Sequence, residues 1–241
     1  MKLFGRNEAF AASAELKQEA NESKAVRKVC EDVQSHLDKY VKLQKQLADE
    51  SKKLAKFFEQ AAAKLDKLDC AVDTTIGDEL RTASEWQKRD TEMMLAMGAG
   101  VASAAALVKK HIENEAFLAK KAEADYDRKR SAANEADKKL IKAGKAGAGV
   151  DTAQSERDRA EKELEEAHTD ALRRCRESNR NGVGALGRAL TTYFTERVSV
   201  TAQQSDFFAG EKRSKKGAFA DTSAGNKAGG AVGGGGGGGG G

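Results

Sequence analysis

Proline is missing altogether from this 241-residue chain. Because proline removes a helix hydrogen bond and clashes with the preceding turn, its absence leaves helices free to run far longer than usual. Aromatic residues make up only 5%, and 39% hydrophobic residues against 33% charged leave little apolar material for a thick globular core, so a thin, elongated architecture is expected. The three cysteines, Cys30, Cys70 and Cys175, are odd in number and lack any CxxC spacing. Neither a disulfide framework nor a zinc site is therefore expected, and the three read as reduced cytosolic thiols packed between helices. No run of 18 apolar residues occurs, and the opening MKLFGRNEAF holds no long apolar stretch, so neither a bilayer-spanning helix nor a secretory leader is expected. His36, His111 and His168 stand apart from any Ser or Cys motif, and no glycine-rich phosphate loop follows a strand. The chain reads as non-enzymatic, with no catalytic residues, no metal and no cofactor.

What is present is the Ala, Lys, Glu, Leu and Arg composition of long helices and coiled coils. From Val26 to Leu68, candidate core positions recur at alternating steps of four and three: Val26, Cys30, Val33, Leu37, Tyr40, Gln44, Leu47, Ser51, Leu54, Phe58, Ala61, Leu65, Leu68. This is a heptad seam, with Leu37, Tyr40, Leu47, Leu54 and Phe58 as its principal core or dimer residues and Gln44 and Ser51 as polar breaks. Between Asp69 and Asp90 the periodicity lapses, and Asp73, Thr74, Thr75 and Gly77 supply turn chemistry for a helix connection. A second rod is expected from near Thr91 to Leu140, closed by the GKAGAGV run at 144–150, whose glycines favour left-handed backbone and a chain reversal. Asp151 or Thr152 caps a third rod with apolar positions Ala153, Ala160, Leu164, Ala167, Ala171, Cys175, Val183, Leu186, Leu190 and Phe194. The second and third rods thus form an antiparallel hairpin. The domain spans 21–210. The Lys-, Gly- and Ala-rich tail from Glu211 to Gly241 cannot bury enough surface to offset the entropy of ordering it and is expected to be disordered.

Rods of this kind, roughly 80 to 90 Å long at about 1.5 Å per residue, leave one apolar side uncovered, and a two-fold homodimer is the simplest way to bury it. The net charge of +4 is too small to point to nucleic acid, but its distribution is uneven. Lys109 to Lys145 carries eleven Lys and Arg against seven Asp and Glu, and Lys138, Lys139, Lys142 and Lys145 crowd the hairpin tip with no acid between them, which local pairing does not explain. Asp151 to Asp170 reverses the balance with eight acids against three bases. Lysines gathered at a rod end suit anionic phospholipid headgroups, where each basic residue contributes about 1 kcal/mol. In residues 1–20, Leu3, Phe4, Phe10, Ala11 and Ala14 fall on one side of a helical wheel. That arrangement is compatible with a short interfacial insertion helix, and equally with docking on the bundle or disorder.

Two strings add to this pattern: Asp125, Tyr126, Asp127 and Arg130 in a DYDxxR run, and AQQSDFFAG at 202–210. With the helix number, helix length and basic tip they make the chain resemble the BAR domain family over about residues 20–210. If the first twenty residues fold on a bilayer, the chain is similar to the N-BAR subclass typified by amphiphysin and endophilin. The resemblance implies an antiparallel crescent homodimer with a six-helix central bundle, peripheral on the cytosolic face of membranes, that senses or generates curvature. It maps the membrane-binding face onto Lys120, Lys121, Arg128, Arg130, Lys138, Lys139, Lys142 and Lys145. The chain lacks the proline that often kinks the third helix and has no SH3 domain. The alternative reading is a coiled-coil scaffold that binds protein, a small GTPase or a cytoskeletal partner, through the same rods.

Overall fold

The computed structural model describes residues 10–68 and 74–224. Four α-helices, α1 (Ala14–Leu65), α2 (Thr74–His111), α3 (Phe117–Ala146) and α4 (Val150–Ala224), account for nearly all of them, and a π-helical turn, Ile112–Ala116, joins α2 to α3 without a break. The fold is therefore all-helical with three long helices, and no strand occurs among the described residues. Met1–Glu196 and Arg197–Gly241 are two compact units. In the second, α4 holds the AQQSDFFAG string in helical form and runs on to Ala224, past Glu211 where composition placed the end of order. The remainder of that tail lies outside the described residues.

Within the first unit, α1 starts where Ser13 caps it: the Ser13 hydroxyl oxygen accepts the Leu16 N–H at 3.2 Å, satisfying one of the donors a helix start leaves open. Cross-helix contacts fix the directions. Ser51 of α1 donates to Gln87 of α2 at 2.6 Å, and Lys24 of α1 meets Glu123 of α3 at 2.7 Å, so α1 runs antiparallel to the continuous α2–α3 rod. Ser23 pairs with Ser178 at 3.3 Å and Tyr40 meets Tyr193 edge-on at 6.1 Å, so α4 runs parallel to α1. The α3–α4 reversal uses Gly147 and Gly149 at φ 66° and 72°, as the glycine run predicts.

The second long helix begins earlier than the sequence suggests. Residues 74–90, whose broken periodicity predicted a connection, are helical. Arg81 pairs with Asp66 at 2.5 Å, Lys88 pairs with Glu59, and Ser51 donates to Gln87, so contacts with α1 override a weak local pattern. This helix also bears on the bilayer expectation without overturning it. Thr75–Ala146 contains a stretch long and apolar enough to cross a membrane by length and composition alone, although the bundle buries its Met93, Val101, Ala104 and Val108.

The core departs from the predicted seam by one residue, on two helices. On α1 the inward line follows Cys30, Val33, Leu37, Tyr40 and Gln44 as expected, then steps by four to Ala48, Ser51, Ala55, Phe58 and Ala62. Two successive steps of four are a stutter, which rotates the seam relative to a strict heptad. Leu47 and Leu54 consequently face outward, at 52% and 41% exposure. On α4 the buried line after Cys175 is Ser178, Gly182, Ala185 and Ala189, while Val183, Leu190 and Phe194 are exposed. Small residues win these inward positions because they let helix axes approach closely, and the bulky side chains are left on the outer surface.

Candidate functional site

The basic residues of α3 are sorted by helix geometry. Ala119, Tyr126, Ala133 and Ala136 are buried. Lys120 and Lys138 stand eighteen residues apart, five full turns, and share a row with Lys142 and Lys145 at further steps of four and three. A neighbouring row carries Lys121, Arg128 and Lys139. Both rows lie on the side of α3 away from its buried residues. Arg130 does not join them: its side chain is 26% exposed against 76% for Arg128 and lies 3.8 Å from Asp127.

Pairing divides the eight cations further. Lys138 bonds Glu135 at 2.5 Å, one turn back, and Lys139 reaches Glu156 at 3.2 Å across the hairpin. The tip is thus partly neutralised, a correction to the expectation that its lysines have no local partners. The acid before Lys138 and the acidic start of α4 supply them. The Glu135 carboxyl is held below its ordinary range, chiefly by the hydrogen bond from Lys138 and then by the charges of Lys138, Lys142 and Lys139. Arg128 pairs with Asp125. Among the described residues, Lys120, Lys121, Lys142 and Lys145 make no ion pair. Of the eight, these four are the ones left most available to an external anion.

Two clefts flank the strip. Lys121 and Arg128 line a groove of about 620 Å³ with Leu118, Asp170 and Arg174, bringing an α4 cation to the α3 face. Lys120 lies at the other flank, in a cleft of about 360 Å³ shared with Lys24 and Arg27 of α1 over a floor that includes Cys175. Arg174, Lys24 and Arg27 escaped the sequence reading because their approach to α3 is set by tertiary packing and leaves no local signal. Burial, followed by the nearby Glu123 and Glu19 charges, pushes the Cys175 thiol up to about 11, and burial followed by Glu31 raises that of Cys30. Both cysteines are free, buried and protonated at neutral pH, which suits packing and disfavours nucleophilic chemistry.

Of the residues assigned to N-terminal insertion, Leu3 and Phe4 lie outside the described residues. Phe10 sits before the start of α1, not on a helix, and packs against the cluster formed by Leu16, Tyr126, Ala133 and Leu164. The docking alternative is the one adopted at this position, because the bundle offers Phe10 both apolar contact and hydrogen-bond partners. His111, at 2% exposure, places Nδ1 2.8 Å from Glu115 Oε2 across the π turn, and His168 lies against the Tyr126 ring at 5.6 Å. No family model and no curated protein matches this sequence.

Proposed function

We propose that this chain is a dimeric module that lies on anionic phospholipid surfaces through the outer face of α3 and senses or generates membrane curvature. The observation that carries this reading is the pair of cationic rows on that face, four of whose members are outside any ion pair. Basic side chains on one long, exposed helix face can approach a planar array of headgroups together, and their attraction fades beyond about 10 Å at 0.1 M salt. The module acts from the cytosolic side, without catalysis and without a cofactor.

The dimer is supported by a second apolar stripe. Leu43, Leu47, Leu54 and Phe57 are exposed on α1, and Val183, Leu190 and Phe194 on α4, all within the first unit. Large apolar side chains recurring at helical spacing on an outer helix face suit an interface. A second copy burying it gives the antiparallel crescent with a six-helix centre that the resemblance implies. The double substitution Leu47→Asp with Leu54→Asp is expected to turn a dimer into a helical monomer in sedimentation-velocity ultracentrifugation. Retention of the dimer would remove this stripe from the interface, and a wild-type monomer would favour the scaffold reading, with another protein covering the stripe.

The membrane assignment is tested by co-sedimenting the purified chain with neutral and with phosphatidylserine-containing vesicles at low and high salt and imaging the pellets. The expected result is binding to the anionic vesicles alone, lost at high salt, with tubules in the pellet. Binding without tubules reduces the function to surface attachment or sensing. No binding at low salt overturns it in favour of a coiled coil that binds protein.

A further inference from the structure

The cleft between α1 and α3 is a narrow slot with an apolar floor and a charged rim. Ala20, Ala116, Ala119 and Cys175 form the floor, none of them more than 3% exposed, with Ser23 beside them. None of these side chains extends past its γ atom, so a hollow remains where larger residues would have closed the packing. The floor offers no open hydrogen-bonding group of any strength. The Ser23 hydroxyl is turned to Ser178 at 3.3 Å, and a buried thiol behaves as a small hydrophobe. Ala116 is also the last residue of the π-helical turn, a form of backbone that occurs most often at functional sites.

The dimensions are those of a slim ligand. Along α1 the slot runs from Ala20 to Glu31, about 16 Å at about 1.5 Å per residue. Its volume of about 360 Å³ over that length is a section of about 22 Å², room for one extended hydrocarbon chain and not for two or for a branched ring system. On the rim, Lys24, Arg27 and Lys120 stand against Glu31 and Glu123, an excess of one positive charge. Lys24 is taken by Glu123 at 2.7 Å, a pair that joins the two walls. Arg27 meets Glu31 through Nε at 2.7 Å, which leaves its two terminal nitrogens without a bond among the described residues. Lys120 makes no ion pair there either. The slot therefore sets an ammonium and the open edge of a guanidinium above an apolar trough, and the guanidinium fork is the group best matched to a carboxylate.

We infer that this cleft binds the free monoanion of an unbranched fatty acid, with its chain along the alanine floor and its carboxylate at Arg27 and Lys120. One negative charge matches the excess on the rim, and one unbranched chain matches the section. The site is independent of the proposed membrane function, because a free carboxylate reaches it from solution without a bilayer.

Isothermal titration calorimetry of the full chain with octanoate, decanoate and dodecanoate, each below its critical micelle concentration, tests the site. One dodecanoate is expected per chain, with affinity rising by up to about four-fold for each added methylene. Dodecylammonium, which has the same tail and the opposite charge, is expected not to bind. Arg27→Gln with Lys120→Gln is expected to weaken dodecanoate binding by about ten-fold or more while keeping the helical circular dichroism, since neither side chain is part of the core. A dodecanoate analogue with a diazirine at its tail locates the ligand: after irradiation and peptide mass spectrometry, adducts are expected on residues 20–31 and 116–123. Adducts confined to the exposed side chains Leu43, Leu47 and Phe57 would mean adventitious adsorption on the apolar stripe and overturn the site. So would equal binding of dodecylammonium, an affinity unchanged in the Arg27 and Lys120 variant, or no binding of dodecanoate at all.

Discussion

Gly182→Ala is expected to destabilise the first unit by about 2 kcal/mol and to lower its unfolding temperature by roughly 4–8 °C, even though alanine is the better helix former. Gly182 lies on the buried line of α4, facing Val26 of α1 and His111 of α2. A methyl group there meets Val26 Cγ1 and, at 2.7 Å, His111 Nε2. Both neighbours are held by packing or hydrogen bonding. Val26 is half-buried against the core cluster of Cys30 and Val108, and His111 is buried with its other ring nitrogen bonded to Glu115. Overpacking a close-packed core costs about 1–3 kcal/mol and this contact belongs at the upper end, while the helix preference of alanine offsets about 1 kcal/mol. Gly184→Ala, two residues along, is the matched control. Its added methyl meets only the end of the flexible Arg188 side chain at 3.4 Å, so the same chemical change is expected to stabilise by up to about 1 kcal/mol. Thermal unfolding followed by circular dichroism reads both signs. The double variant Val26→Ala with Gly182→Ala should recover part of the loss, because shortening Val26 vacates the space the new methyl needs. A Gly182→Ala chain as stable as the wild type would mean that the three helices do not approach so closely at this level.

That close approach is also where the sequence was hardest to read. A heptad search assigns the largest apolar side chains to the seam, and it followed α1 correctly through Leu37, Tyr40 and Gln44. It then chose Leu47 and Leu54 over Ala48 and Ala55, and on α4 Val183 and Leu190 over Gly182 and Ala189. Both errors are a slip of one position, and both have one cause. When two helices pack through alanine, serine and glycine, hydrophobicity no longer marks the inner face, and the bulky residues mark an outer one. The number of helices, the glycine reversal and the clustering of lysines near it were legible because each is a local property of the chain. The Phe10–Asn134 contact, the Lys139–Glu156 pair and the arrival of Arg174 beside Lys121 were not, since each joins side chains that only the folded bundle brings together. The same distinction applies to charge: counting residues located the basic region, whereas separating its paired from its unpaired members required the neighbouring helix.

Lys142→Glu together with Lys145→Glu is expected to weaken binding to anionic vesicles by about a thousand-fold at physiological ionic strength. Two reversals change the charge at the hairpin end by four units, and each unit near an anionic surface corresponds to about 1 kcal/mol. These two residues isolate the electrostatic effect because neither takes part in an ion pair that holds the bundle together, so the substitutions leave no carboxylate without its partner. Helix content and unfolding temperature should be nearly unchanged, apart from a small penalty for acidic residues in the last turn of α3. Reversing Lys52 and Lys53 of α1 changes the net charge equally but elsewhere. Those residues pair with Asp49 and Glu50 on the part of α1 that faces Gln87, well away from the α3 tip. If the chain binds only through its overall charge, the two variants should lose affinity alike. If the outer face of α3 is the contact, the α1 variant retains most of its binding, and the loss in the α3 variant shrinks as salt is raised, because screening removes the same attraction from the wild type. Vesicle co-sedimentation across a salt series distinguishes the two outcomes. Equal losses at every salt concentration would move the binding site off α3.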